Sequence, residues 1–142
     1  MRFLFLLLLS PVPAFSWEFS RDPVCRLHHQ SPSAQIDISF NSEPTRYQLS
    51  ITLSGLDWNA APSFGIFFDG GKSLTIGTDR HIINGDTLSV VDSGFGNVLN
   101  GLEFNQVATA FTSSHVVTFN LEGAADAVRQ FRDCTKPLPA LS

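Results

Sequence analysis

One stretch of the sequence decides the fold: AQIDISF, at residues 34–40. Its side chains alternate without interruption between apolar and polar, and YQLSITL at residues 47–53 repeats the alternation. Strict alternation predicts a β-strand that buries one face and leaves the other in solvent. The segment between the two runs, NSEP at residues 41–44, has the residue types of a turn. We therefore expect these residues to form an antiparallel hairpin.

The rest of the chain continues the β pattern and adds two helices. DGG at residues 69–71 and NG at residues 84–85 have the composition of hairpin turns, in which glycine supplies positive φ angles. Helical spacing of apolar residues predicts a short helix that begins near Phe95 and an amphipathic helix over residues 123–134. The other predicted strands lie at residues 63–68, 73–76, 81–83, 87–91, 108–112 and 116–121. The predicted fold class is mainly β: an antiparallel sandwich or flattened barrel with one short internal helix and a C-terminal helix.

The beginning of the chain has the pattern of a cleaved export signal. Arg2 precedes an apolar run at residues 3–9, two prolines interrupt it, and Ala14-Phe15-Ser16 offers the small residues that precede a cleavage site. We expect cleavage between Ser16 and Trp17. The apolar run is far shorter than the roughly 20 residues that span a bilayer, so we expect no membrane insertion after cleavage.

The predicted mature chain, residues 17–142, is one β-rich domain, and its last residues, 137–142, are predicted to be a flexible tail. We expect it to be periplasmic or secreted. Cleavage removes one basic residue and no acidic one, so the formal net charge changes from −4 to −5. This charge argues against binding to nucleic acid or to an anionic membrane surface, since both bind basic patches.

Two cysteines, Cys25 and Cys134, lie near the two ends of the predicted mature chain. Because exported cysteine pairs rarely stay reduced, we expect them to form a disulfide rather than two free thiols. A ring of roughly 100 residues stabilises the fold by about 4.7 kcal/mol in chain-entropy terms.

No set of residues in the sequence defines a catalytic or metal centre. His28 and His29 follow Cys25, but adjacent residues of a strand point to opposite faces, so we expect no shared metal ion. His81 and His115 are the candidates for a hydrolytic base, yet the Gly-x-Ser-x-Gly turn of a nucleophilic serine is absent from the sequence. The phosphate-binding Gly-x-x-x-x-Gly-Lys pattern is absent too. We expect no cofactor.

Aromatic residues are more informative about function than the histidines, because several lie at positions where the pattern is compatible with exposure to solvent. Trp58 falls in a predicted loop, and Phe95 lies between two glycines where the first helix begins. Phe67 points away from the face that carries the other apolar residues of its strand. Core filling is the ordinary role of such residues. If they are exposed together, Trp58, Phe67 and Phe95 form a candidate protein-binding surface.

Three stretches of the sequence resemble the invasion-associated locus B protein family, exported proteins of Gram-negative bacteria: CRLHHQS at residues 25–31, residues 95–109, and VVTFNLEGAA at residues 116–125. The chain departs from that family in lacking its additional cysteines near the start and middle. The resemblance implies a periplasmic or envelope-associated β-rich domain with no established catalytic centre.

The function predicted from the sequence is that of an exported, non-catalytic interaction or accessory protein of the cell envelope, with a protein partner. One alternative is a small periplasmic hydrolase that uses His81 or His115. Another is a carrier of a small apolar ligand in a cavity inside the β core.

Overall fold

A computed structural model of the chain describes residues 16–137. The predicted export signal, except for Ser16, and residues 138–142 of the predicted tail lie outside this range. The described residues form ten strands and two helices. The strands pair antiparallel in two sheets that do not close into a barrel. The predicted fold class, a mainly β sandwich with a short internal helix and a C-terminal helix, is confirmed.

The elements follow in chain order. The strands are β1 (Glu18–Ser20), β2 (Arg26–Gln30), β3 (Ala34–Ser42), β4 (Thr45–Leu53), β5 (Phe64–Asp69), β6 (Leu74–Thr78), β7 (Ile82–Asn84), β8 (Thr87–Asp92), β9 (Val107–Phe111) and β10 (Val116–Asn120). The helices are α1 (Gly96–Glu103) and α2 (Ala124–Thr135). The six-stranded sheet has the order β1-β2-β3-β4-β8-β7, and the four-stranded sheet has the order β10-β9-β5-β6.

The core lies between the two sheets and is built on the predicted hairpin. β3 and β4 pair along their whole length, with Ile36 opposite Ile51 and Ile38 opposite Leu49. These four side chains are at most 2% exposed and point toward the four-stranded sheet. That sheet contributes Phe68 and Phe119 from its inner face, both fully buried. The alternation read from the sequence is therefore the alternation between core and solvent.

Trp17 closes one side of the sandwich. Its ring stacks on His29 of β2 at 4.8 Å between centroids, and its Nε1 donates a hydrogen bond of 2.9 Å to the carbonyl oxygen of Asn120 in β10. One side chain thus connects the first strands of the six-stranded sheet with the edge of the four-stranded sheet. On the opposite side, between β6 and β8, no large side chain among the described residues bridges the two sheets in this way.

Helix α2 lies against β1, β2 and α1. Its apolar stripe, Ala124, Ala127, Val128 and Phe131, is buried. A disulfide joins Cys134 near its end to Cys25 just before β2, across 109 residues of sequence and with 5.9 Å between the Cα atoms. The predicted disulfide is confirmed.

Helix α1 packs on β5 at a glycine. A Cβ atom added to Gly101 would lie 2.4 Å from the ring of Phe68, which is too close for any real contact. The absence of a side chain at Gly101 lets the helix approach the sheet. Gly96, at the start of the same helix, has nothing within 4 Å of such a Cβ atom.

Replacing Gly101 by Ala should therefore destabilise the fold by about 1–3 kcal/mol, the usual effect of overpacking a core. Gly96→Ala is the matched control, and it should be neutral or stabilising because alanine is the better helix former. Urea unfolding of both variants measures the free energies. Equal midpoints for the two variants would contradict the close approach of α1 to Phe68.

Breaking the disulfide should lower the free energy of unfolding by about 2–5 kcal/mol. Urea unfolding with and without a reductant measures the change in the wild-type chain. The double variant Cys25→Ser, Cys134→Ser should match the reduced chain and should not respond to the reductant. A reductant effect of similar size in that variant would show that the loss does not come from this bond.

Candidate functional site

The two sheets turn very different outer faces to solvent. On the six-stranded sheet the outer side chains hydrogen-bond to one another: the Ser50 and Ser89 hydroxyls are 3.3 Å apart, and those of Thr52 and Thr87 are 3.0 Å apart. Asp37 accepts hydrogen bonds from Arg26 on the same face. Polar side chains dominate this face, and Ile82 and Val91 are its exposed large apolar residues, at 67% and 44%.

The outer face of the four-stranded sheet is apolar. Four large side chains lie on it, with exposures of 39% for Phe67, 38% for Val107, 36% for Phe111 and 69% for Val116. They come from β5, β9 and β10, three neighbouring strands of one sheet. We call these four residues, with the threonines between them, the apolar face. Contiguous exposed apolar side chains are typical of interaction sites.

Strand register arranges the apolar face in rows across the sheet. Phe111 stands opposite Val116 in β10 and opposite Gly65 in β5. A Cβ atom at Gly65 would lie 2.6 Å from the Phe111 ring, so the ring lies flat over the glycine. In the next row Phe67 stands between Thr109 and Thr75. Register thus places Phe111 and Val116 side by side in one row and Phe67 in the next.

Charge is scarce on the apolar face. Among its described outward positions Asp69 is the one charged residue, and it lies at the end of β5. Its Oδ1 accepts hydrogen bonds of 2.9 Å from the Gly70 N–H and 2.8 Å from the Ser73 hydroxyl. A partner that covers the face need not desolvate a free charge at its centre, which removes the main energetic penalty of docking.

The structure separates the three aromatic residues selected from the sequence. Phe67 lies in the middle of the apolar face. Trp58 is 4% exposed, and its Nε1 donates a hydrogen bond of 3.0 Å to the Ile51 carbonyl oxygen, so it fills the core although it lies in a loop. Phe95 is 5% exposed and packs against Tyr47 with 5.4 Å between ring centroids. Neither Trp58 nor Phe95 belongs to an exposed surface, and that part of the predicted binding surface is wrong.

Val107, Phe111 and Val116 were not among the residues predicted to form a binding surface. Each was assigned to or beside a predicted strand, and the alternation marks them as facing away from Ala108, Ala110 and Val117. What the sequence does not show is that β5 lies beside β9, because that pairing joins distant parts of the chain, such as Phe67 and Thr109.

Within residues 16–137 the candidate hydrolytic histidines, His81 and His115, form no ion pair with a carboxylate. The ring nitrogen Nε2 of His81 is 2.9 Å from the Ala61 carbonyl oxygen. His115 packs edge-on against Trp58 at 5.7 Å between centroids. Within residues 16–137 neither ring is hydrogen-bonded to an acid or a hydroxyl, so this geometry gives the hydrolase hypothesis no support.

The paired histidines of β2 point to opposite faces, as expected. His28 lies on the outer face with its Nδ1 at 2.8 Å from Asp37, and His29 is 2% exposed on the inner face. The described part of the chain contains no group of three or more His, Cys, Asp or Glu residues that could hold a metal ion.

A groove of about 660 Å³ runs between the two sheets on the side opposite Trp17. Its floor is apolar and buried: Leu49, Phe64, Ile66, Phe95 and Val98. Its two long walls are β6 at Ile76 and β8 at Val90. We call it the edge groove. Its volume lies in the range of small-molecule sites, so it is also compatible with the carrier hypothesis.

The mouth of the edge groove is polar and charged. Asp79, Arg80 and Asp92 line it and are exposed. None of the three makes an ion pair with another residue in the described range. Two carboxylates and one guanidinium leave the mouth with a negative balance.

Comparison with known proteins finds no matching protein family, no matching curated protein and no matching solved structure. The resemblance to the invasion-associated locus B family stays a prediction. Between residues 16 and 137, neither helix has the length and apolar character needed to cross a membrane.

Burial lowers the pKa of His29 below its ordinary value. The largest cause is removal of the ring from water, and the nearby His28 acts in the same direction, while a hydrogen bond with the Ser16 backbone opposes it. The stacked contact with Trp17 therefore involves a neutral imidazole at neutral pH. In the unfolded chain the same ring protonates at its usual pKa of about 6.5.

The fold should consequently lose stability as the pH falls below about 6.5, since the unfolded state then binds a proton that the folded state resists. Above that pH the contribution of His29 is constant. Denaturant unfolding at about pH 7.5 and about pH 5.5 measures the loss, and His29→Gln should reduce it. His28→Gln leaves the buried ring in place and should retain the loss. If wild type and His29→Gln lose the same free energy of unfolding between the two pH values, the loss does not come from His29.

Proposed function

We propose that this chain is an exported interaction protein that binds a protein partner of the cell envelope through the apolar face. The observation that carries the proposal is the contrast between the two outer faces of one sandwich. The face on the six-stranded sheet carries hydrogen-bonded hydroxyls on β4 and β8 and two exposed apolar side chains toward one edge, Ile82 and Val91. The face on the four-stranded sheet exposes four large apolar side chains across three neighbouring strands: Phe67, Val107, Phe111 and Val116.

The composition of the apolar face favours a protein partner. Its large side chains are aromatic or β-branched, and threonines lie between them at Thr75, Thr109 and Thr118. Interface centres are depleted in charge and enriched in aromatic residues in the same way. Well-buried aromatic side chains at the centre of a patch contribute most of the binding energy, which assigns that role to Phe67 and Phe111.

Two features support a location outside the cytoplasm. The sequence begins with the pattern of a cleaved export signal, and the fold is joined end to end by the Cys25–Cys134 disulfide. Disulfides persist in oxidising compartments and are rare elsewhere. In this proposal the chain acts in the periplasm or after secretion, and it meets its partner there.

Site-specific photocrosslinking in the cells that produce the protein tests the proposal. A photoreactive residue at Thr118, exposed on the apolar face, should give one dominant crosslinked product. The same residue at Gln48, exposed on the outer face of the six-stranded sheet, should give little or none. A product of twice the chain's mass would identify a second copy as the occupant of the face. Equal products from both positions, or none from either, would overturn the proposal.

A matched pair of variants adds a quantitative control. Val116 and Ile82 are exposed to the same degree, 69% and 67%, but Val116 lies on the apolar face and Ile82 on β7 of the other sheet. Val116→Ser should reduce the crosslink from Thr118 about fivefold, as expected for the loss of roughly 1 kcal/mol at an interface. Ile82→Ser should leave it unchanged.

A further inference from the structure

The edge groove is bordered by two strand edges that have no neighbour. β6 is the last strand of the four-stranded sheet and pairs with β5 alone. β8 pairs with β7 only from Thr87 to Ser89, so its last residues, Val90 to Asp92, have a partner only on the β4 side. No other backbone hydrogen bond reaches these two segments from within residues 16–137.

We infer that the edge groove is a strand-addition site, in which an extended segment of a partner protein pairs with the free edge of β6. The backbone N–H and C=O groups of an edge strand are recognised by the backbone of another strand. A ligand without backbone-like donors and acceptors would leave these groups unpaired as it displaced water from them, and that is costly. This inference rests on the proposed function in taking the chain to be an interaction protein.

Depressions on both faces of β6 fit the alternating side chains of an added strand. The edge groove lies on the inner face, beside Ile76. On the outer face a second depression of about 460 Å³ is lined by Gly77, Gly65 and Phe111. Successive residues of a strand point to opposite sides. Side chains of the added strand would therefore enter the two depressions in turn, which gives specificity in addition to backbone pairing.

Charge indicates which chemistry the added strand carries. The mouth of the edge groove has two carboxylates that form no ion pair within residues 16–137, Asp79 and Asp92, against one guanidinium, Arg80. Asp92 accepts a hydrogen bond from the Ser93 N–H, which leaves its charge in place. A segment with alternating apolar residues and a lysine or arginine beside them complements this mouth. An acidic segment would be repelled by it.

A second copy of this chain is a poorer occupant. The symmetric antiparallel register that pairs all of β6 with itself is centred on Ile76, and its continuation beyond the strand ends brings Lys72 toward Arg80 of the other copy. Like charges directly opposite each other destabilise a strand pair. Basic residues that flank an edge strand are a common protection against self-association.

Nuclear magnetic resonance of the isotope-labelled mature chain tests the inference with a defined peptide. The probe is a capped peptide of about six residues, the usual strand length, that alternates valine and threonine and ends in lysine. At millimolar concentration it should shift the amide signals of residues 74–78. It should also slow hydrogen exchange at those N–H groups of the segment that point away from β5, because strand pairing protects amides. Two control peptides should bind at least about tenfold more weakly: one with glutamate in place of lysine, one with a central proline that cannot donate to the pairing.

A variant of the groove provides the second arm. Ile76→Arg places a charge in the edge groove and should lower the affinity for the probe peptide about tenfold, whereas Ile76→Leu should preserve the affinity. If Ile76→Arg does not fold, Val90→Arg on the opposite wall serves the same purpose. Shifts confined to the apolar face, no shifts at millimolar peptide, or equal binding of all three peptides would each overturn strand addition.

The outcomes separate this inference from the proposed function. A crosslink at Thr118 without protection of residues 74–78 would refute strand addition alone. Protection of residues 74–78 without a crosslink at Thr118 would refute docking on the apolar face alone. An anionic naphthalene dye serves as a small-ligand probe. If it shifts the signals of the edge groove without slowing hydrogen exchange in β6, and the probe peptide does not bind, the groove is a small-ligand site instead.

Discussion

The pairing of β3 with β4 is the interaction on which the rest of the structure depends. It aligns Ile36, Ile38, Leu49 and Ile51 on one buried face at the centre of the core. The four-stranded sheet covers it from the front, and α2 with the Cys25–Cys134 disulfide fixes the chain ends near β2. Because apolar burial is non-directional, the register of this hairpin decides which side chains become core and which become surface.

The sandwich is closed on one side and open on the other, and the difference has a simple cause. On the closed side Trp17 is large enough to reach from His29 to the backbone of β10. On the open side the connection from β6 to β7 contains Asp79 and Arg80. Because these two residues are charged, they do not cover the apolar floor of the edge groove. The groove is thus a consequence of connectivity, and its walls remain strand edges.

The sequence predicts those elements whose side chains alternate locally, and it misses those that depend on distant contacts. The strands β3 to β10 and both helices lie close to their predicted positions, whereas β1 and β2 were not predicted from alternation. β2 was not predicted from alternation, because the polar residue His29 occupies an inner position that Trp17 makes acceptable by stacking. Trp58 was misjudged for a related reason: loop residues are expected outside, but this one is drawn into the core by a hydrogen bond to Ile51.

The exposed position of Phe67 could be predicted because the residues on either side of it in the strand are apolar and face the core. The apolar face as a whole could not, since it combines residues 67, 107, 111 and 116, which strand order alone brings together. The edge groove was inaccessible to the same reasoning, because a free strand edge is defined by what fails to pair with it. Neighbouring positions in a strand are a local property, whereas the order of strands in a sheet is not.

The apolar face and the edge groove share β5 and β6, so one partner could occupy both. A strand added beside β6 would widen the four-stranded sheet and continue the row that contains Phe67 and Thr75. Its outward side chains would then lie level with the apolar face, and the rest of the partner could pack over Phe111. Because the second contact would form within an existing complex, its effective concentration would be high. Two modest surfaces on one small domain can in this way produce tight and selective binding without a deep pocket or a charged anchor at the centre.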